Sequence, residues 1–132
     1  MNSNEIILLR KDRWVEISKQ LFKHYGVSPN KLIITTSDKD GDDLHNKAFY
    51  DLYSRSISIN LDKAESNKDL LTSILHEIHH MIDEKKLGHD TYDIMYQNEM
   101  SNNNYKKNKF EISAERFALE EVNKWDHLIH PK

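Results

Sequence analysis

The sequence contains no cysteine. Disulfides and thiolate metal sites are therefore excluded, and any bound metal ion must be held by His, Asp or Glu side chains. Near its start the longest apolar run is Ile6-Ile7-Leu8-Leu9, far shorter than the core of a signal sequence or a membrane span. Without such a segment, we expect a cytoplasmic protein that does not enter a membrane.

The sequence also lacks a strong excess of either charge. Its 19 Lys and Arg residues and 22 Asp and Glu residues give a formal net charge of −3, and they are spread along the chain. Because no basic stripe is present, we expect no nucleic-acid partner. The length of 132 residues, with no visible linker or repeat, predicts a single domain over residues 1 to 132.

Hydrophobic spacing outlines the elements of this domain. The predicted elements are a helix over 10 to 25, a strand over 32 to 36, hairpin arms over 48 to 53 and 56 to 61, and helices over 66 to 88 and 108 to 125. Residues 89 to 109 are polar and rich in Asn and Lys, which predicts a loop with at most one helical turn. The pattern therefore indicates an α+β fold in which a small, mostly antiparallel sheet packs against three or four helices.

An acidic segment over residues 38 to 43 superficially resembles a calcium loop. Aligning Gly41 with the glycine of an EF-hand loop puts Thr36 at the first ligand position and Lys47 at the last. Neither residue suits its position, so a solvated turn is favoured over a calcium site.

The motif His76-Glu77-Ile78-His79-His80 matches H-E-x-x-H and lies within the helix predicted over residues 66 to 88. The four-residue spacing puts His76 and His80 on one face, so that two imidazoles can reach one metal ion. Glu77 is the next residue round the helix and can act as general base towards water without being a ligand. The motif predicts a catalytic zinc ion, which needs three protein ligands and one open position.

The third ligand must come from another part of the sequence. The downstream candidates are His89, Asp90, Glu99, Glu111, Glu115, His127 and His130. Glu111 is favoured because it begins a new helix after a segment long enough to bring that helix back beside the first. Ala114 and Ala118 on this helix allow a close approach of two backbones. Glu115 or Asp83 would accept a hydrogen bond from a ligand imidazole, and the spacing leaves that choice open.

Three tyrosines, Tyr92, Tyr96 and Tyr105, fall in or near the segment that borders the predicted site. A zinc peptidase often uses one Tyr, His or Arg to stabilise the developing oxyanion, and we select Tyr105 for this role. The alternative is that all three tyrosines only pack against the loop.

The remaining aromatic and histidine residues have structural interpretations. The predicted core aromatic residues are Trp14, Phe22, Phe117 and Trp125, each on an apolar helix face. The histidines expected at the surface are His24, His45, His127 and His130. His79 is predicted to be a solvated or hydrogen-bonded helix residue, not a ligand.

Three segments resemble the ImmA/IrrE-like metallopeptidases, a zincin group common in phage and mobile-element proteins. They are residues 57 to 60, residues 76 to 80, and residues 111 to 118, which are similar to the family element E-x-x-A-x-x-F-A. The resemblance implies that His76, His80 and Glu111 are metal ligands and that Glu77 is the general base. It also implies a minimal zincin-like fold, with a small sheet against an active-site helix and two to three further helices.

Two positions depart from the family pattern: His79 stands where a glycine is frequent, and Glu115 where Asp or Asn is usual. The predicted function is that of a zinc metalloendopeptidase acting on a protein or peptide, and the resemblance implies a regulatory protein such as a repressor. The alternative is a catalytically inactive zincin-fold module that recognises a protein partner. An extended peptide would pair with a sheet edge, for which the resemblance favours the strand over residues 57 to 60 or its neighbour.

Overall fold

The computed structural model of the protein describes residues 8 to 36 and 47 to 130. Its elements are α1 (Lys11–Tyr25), β1 (Lys31–Thr35), β2 (Ala48–Asp51), β3 (Ser56–Asn60), α2 (Asn67–Leu87), α3 (His89–Asn102) and α4 (Lys109–Glu121), with 3-10 turns at Leu61–Lys63, Tyr105–Lys107 and Val122–Ile129. Within the described ranges, no helix combines the length and apolar character that crossing a membrane requires. The acidic segment over residues 38 to 43 and His45 lie outside the described residues.

Helix α1 forms where the apolar spacing predicts it. Trp14, Ile17 and Leu21 are fully buried along one face of this helix, as expected for an amphipathic surface helix. The helix ends at Gly26, whose φ of 70° lets its backbone N–H bond to the carbonyl of Lys23. A glycine adopts this left-handed conformation without steric cost, so the stop signal in the sequence has a physical basis.

The sheet has three strands in the order β1-β3-β2. Strands β2 and β3 form the predicted antiparallel hairpin, and β1 pairs with β3 in parallel. The α+β prediction is confirmed, but the sheet is mixed, not mostly antiparallel. The outer edge of β2 faces α2, where the backbone N–H of Tyr50 donates to Glu77. Strand β1 pairs with the other side of β3.

This strand order also decides which strand is an edge. Strand β3 is central, with Ile57 and Ile59 buried in the core. Residues 57 to 60 therefore cannot be the edge that pairs with a peptide, because both sides of β3 already have partners. The neighbouring strand β2 is an edge strand and lies beside α2.

Helix α2 combines a capped start with two different faces. The side chain of Ser66 accepts a hydrogen bond from the backbone N–H of Asp69 at 3.0 Å, as an N-cap residue does. One face of α2 buries Leu71, Ile74 and Ile78 completely. Helix α4 packs against α2, and its two alanines at positions 114 and 118 are fully buried.

Residues 89 to 109 do not form the predicted loop: α3 occupies positions 89 to 102, and a 3-10 turn follows. Tyr92 is buried, while the rest of α3 is half-buried or exposed. The helix therefore has almost no apolar stripe for a periodicity argument to detect. Polar contacts fix it instead, including His89 Nδ1 at 2.7 Å from Glu84 Oε2 in its first turn.

The predictions for aromatic and histidine residues fit the burial of the described chain. Trp14 and Phe22 are buried in the core. Phe117 and Trp125 are half-buried at its margin, where both rings contact Tyr25. Among the described histidines, those that are exposed are His24, His127 and His130.

Shortening a buried side chain of the central strand β3 should destabilise the fold. Ile57 is 0% exposed, and we expect Ile57→Ala to lower the free energy of unfolding by about 2–5 kcal/mol because a cavity is left in the core. Ile94 is 62% exposed, so Ile94→Ala should change stability by no more than about 0.5 kcal/mol. Urea unfolding of both variants measures the difference, and equal losses would contradict the described core.

Candidate metal centre

Two imidazoles and one carboxylate converge between α2 and α4. The Nε2 atoms of His76 and His80 lie 2.8 Å and 3.0 Å from the same oxygen, Glu111 Oε1. One possible ligand atom from each residue lies within 4.8 Å of the other two. The structure thus brings together the three residues that the sequence predicts as ligands, and this group could hold a metal ion.

The outward-facing nitrogens of the two rings have their own partners. His76 Nδ1 lies 3.1 Å from Glu115 Oε1, and His80 Nδ1 lies 2.8 Å from the Tyr92 hydroxyl. A ring that donates from Nδ1 presents a lone pair at Nε2, which is the form that a metal ion binds. Of the two predicted partners for a ligand ring, Glu115 contacts His76, whereas Asp83 lies 3.3 Å from His79.

Glu111 is held at the start of α4. The side chain of Asn108 caps this helix by accepting from the backbone N–H of Phe110 at 2.8 Å, and Glu111 follows in the first turn. The Glu111 side chain is buried, with 7% of the residue exposed. Burial on its own would raise the pKa of Glu111, but the hydrogen bonds from His76 and His80 outweigh it and hold the carboxyl pKa far below its usual range.

The donor set fits a small divalent metal ion. Two imidazole nitrogens and one carboxylate oxygen are a common catalytic zinc set. Tetrahedral bonds of about 2.0–2.1 Å would put neighbouring ligand atoms about 3.3 Å apart, which is close to the observed 2.8 Å and 3.0 Å. With all three ligand atoms within 4.8 Å of one another, these residues could hold a metal ion.

Glu77 lies beside the three candidate ligands. Its Oε2 is 4.0 Å from His76 Nε2, and its Oε1 accepts the backbone N–H of Tyr50 at 2.9 Å. Burial raises the pKa of the Glu77 carboxyl, partly opposed by the positive charges of His80 and His76. The carboxylate thus lies between the edge strand and the candidate metal centre, with one oxygen turned towards the candidate ligands.

A cleft of about 310 Å³ opens beside this group. Its walls are the outer side of β2 with the turn after it, and tyrosines from α3 and the following 3-10 turn. Its lining includes Phe49, Tyr53, Glu77, Tyr96, Tyr105 and Glu111. The candidate metal centre is therefore open to a ligand from the side of the edge strand.

All three predicted tyrosines face the centre, and they do so in different ways. Tyr105 is 53% exposed and lines the cleft; burial and the negative charge of Glu111 raise the pKa of its hydroxyl. Tyr92 and Tyr96 contact candidate ligands directly, through His80 Nδ1 and Glu111 Oε2. Sequence reasoning missed these two contacts, although the four-residue spacing of Tyr92 and Tyr96 would put them on one helix face.

Comparisons of the chain with family models, curated proteins and solved structures give no match. What the site can do therefore follows from its own geometry.

Matched amide variants should rank the roles of three carboxylates in metal binding. We expect Glu111→Gln to lower the affinity for Zn²⁺ most, because it replaces a ligand oxygen in the convergent group. Glu115→Gln should lower the affinity for Zn²⁺ by about 10- to 100-fold, as loss of a hydrogen-bond partner to a ligand does. Asp83→Asn serves as the control, since Asp83 faces His79. Competition with a chromogenic chelator measures all three, and the opposite ranking would refute the ligand set.

Metal binding should depend steeply on pH. In the metal-free site, burial would lower the pKa of His76, but its bond to Glu111 and the charges of Glu77 and Glu111 raise it from 6.5 to about 9. A metal ion binds the neutral ring, so a proton must leave below this pKa. Zn²⁺ affinity should therefore rise by about tenfold per pH unit up to about pH 9. A plateau already reached near pH 6.5 in chelator-buffered titrations would contradict this.

Proposed function

We propose that the protein is a zinc metallopeptidase that hydrolyses peptide bonds of a protein substrate. His76, His80 and Glu111 are the zinc ligands in this proposal. They supply a three-residue set of nitrogen and oxygen donors, as catalytic zinc sites do, and leave a fourth position for water or substrate. The convergence of these three side chains, with no cysteine in the sequence, favours zinc held by His and Glu.

The observation that carries the proposal is the position of Glu77. A structural zinc site closes its coordination with four protein ligands and needs no additional carboxylate. Here a buried carboxylate lies next to the ligands, faces the cleft, and is oriented by the backbone of an edge strand. This arrangement supports a general base and is not required by a purely structural metal site.

Glu77 would carry the proton transfers of the reaction. When bound, zinc supplies Lewis-acid chemistry that lowers the pKa of water and polarises a substrate carbonyl. The Glu77 carboxylate accepts the proton from the attacking water and later delivers it to the leaving amine. Burial raises the pKa of Glu77, which makes its carboxylate a stronger base than an exposed one.

Tyr105 remains the proposed donor to the oxyanion. Its hydroxyl lines the cleft beside Glu77 and Glu111. Because burial and the charge of Glu111 raise its pKa, the phenol keeps its proton at neutral pH and can donate it in a hydrogen bond. A donor directed at developing negative charge stabilises the transition state of acyl transfer.

The shape of the cleft supports a polypeptide substrate. Strand β2 is an edge strand, and Phe49 of β2 and Tyr53 of the turn after it help to line the cleft. An extended peptide can lie along such an edge, with alternate side chains entering pockets. The resemblance to ImmA/IrrE-like enzymes suggests a regulatory protein such as a repressor as the substrate.

Replacing the proposed base should separate metal binding from catalysis. We expect about one zinc ion per chain in both the wild-type protein and Glu77→Gln, because Glu77 is not a ligand. Cleavage should fall by at least about 100-fold in the variant, since general base catalysis is lost. The assay combines elemental analysis with cleavage of unfolded protein and of a mixed peptide library.

The matched control is Glu16→Gln, which removes a carboxylate exposed on α1 and should cleave like the wild type. Full activity of Glu77→Gln would exclude Glu77 as the base. A wild-type protein purified without chelator and free of zinc would refute the proposed metal centre.

A further inference from the structure

The two oxygens of the Glu111 carboxylate have different partners. Oε1 lies between the Nε2 atoms of His76 and His80, at 2.8 Å and 3.0 Å. Oε2 accepts a hydrogen bond from the hydroxyl of Tyr96. Oε1 therefore faces the point where the two imidazoles converge, and Oε2 is hydrogen-bonded to Tyr96.

Tyr96 is well fixed for this contact. Its ring stacks on Phe110, with centroids 6.2 Å apart, and meets His80 edge-on at 6.1 Å. One turn earlier on α3, the Tyr92 hydroxyl contacts His80 Nδ1 at 2.8 Å. Helix α3 thus directs two hydroxyl groups onto two of the three candidate ligands.

The Tyr96 hydroxyl can act only as a donor here. An ionised carboxylate has no hydrogen to donate, so the phenol O–H donates and Glu111 Oε2 accepts. A carboxylate oxygen that accepts such a bond is less available to a metal ion. Without this restraint, a Glu side chain can ligate through both oxygens and occupy the position that a catalytic site leaves open.

We propose that Tyr96 is a positioning residue of the metal centre, which restricts Glu111 to ligation through one oxygen and so keeps the fourth coordination position open. The inference rests on the proposed function, because it assumes the metal centre described there. It adds a residue of α3 to that centre. It assigns Tyr96 a part distinct from that proposed for Tyr105, which lines the cleft and also interacts with Glu111.

The test measures metal binding instead of cleavage. Tyr96→Phe keeps the ring and its packing on Phe110 but removes the hydroxyl. We expect its affinity for Zn²⁺ to fall by about 10- to 100-fold, as for loss of a hydrogen-bond partner to a ligand. In the Co²⁺-substituted protein, the visible absorption should weaken, because a second Glu111 oxygen increases the coordination number.

The matched control is Tyr53→Phe. Tyr53 lines the same cleft, but its hydroxyl donates to Asp93 at 3.3 Å. This variant should bind Zn²⁺ and absorb in the Co²⁺ form like the wild type. The melting temperature of each metal-free variant reports any general loss of stability.

Two results with Tyr96→Phe would overturn the inference. Wild-type Zn²⁺ affinity would show that the hydroxyl does not influence the ligand. Weaker binding with an unchanged Co²⁺ spectrum would show that Tyr96 supports the helix without setting how Glu111 binds. If the variant does not fold, a crystal structure of the zinc-loaded wild type decides: Glu111 bound through both oxygens, or Tyr96 away from Oε2, refutes the inference.

These outcomes are independent of peptidase activity. A wild-type protein that binds zinc but cleaves nothing would refute the peptidase proposal and leave the role of Tyr96 standing. Conversely, cleavage that depends on Glu77, with equal Zn²⁺ affinity in Tyr96→Phe and the wild type, would refute the role of Tyr96 alone.

Discussion

A single carboxylate oxygen shared by two imidazoles is the interaction around which this domain is arranged. A carboxylate as buried as that of Glu111 costs several kcal/mol in lost hydration unless it is paired, and the Nε2 atoms of His76 and His80 provide that pairing. The contact requires α4 to lie close against α2, which the fully buried Ala114 and Ala118 allow. The same packing of α4 against α2 that buries the two alanines therefore also assembles the site.

The parts of the site that could be predicted from the sequence are those governed by local geometry. The four-residue spacing of His76 and His80 determines that both rings project from one helix face. Ser66 marks the start of α2 because its side chain accepts a backbone N–H of the first turn. Gly26 marks the end of α1 because it adopts the left-handed conformation there. Glu111 could be selected because it begins a helix whose small residues indicate a close neighbour.

The parts that could not be predicted depend on contacts distant in sequence. Helix α3 buries Tyr92 and directs tyrosine hydroxyls at two candidate ligands. Its stabilising contacts are therefore polar and leave no apolar period in the sequence. The parallel pairing of β1 with β3, on the side away from β2, joins segments that are distant in sequence, and no local strand pattern reveals it. Partners such as Tyr96 become visible only once α3 is known to be a helix beside the motif.

The hydrogen bond from the Tyr50 amide to Glu77 also bears on self-association. Edge strands expose unpaired backbone groups that recruit strands from other molecules, and proteins commonly protect them with charged side chains. In this domain the Glu77 carboxylate of the neighbouring helix accepts the outward-facing amide of Tyr50, so this amide is not free to pair with a strand of another molecule. The residue proposed to move protons during hydrolysis therefore also occupies one of the pairing groups on the exposed side of the sheet.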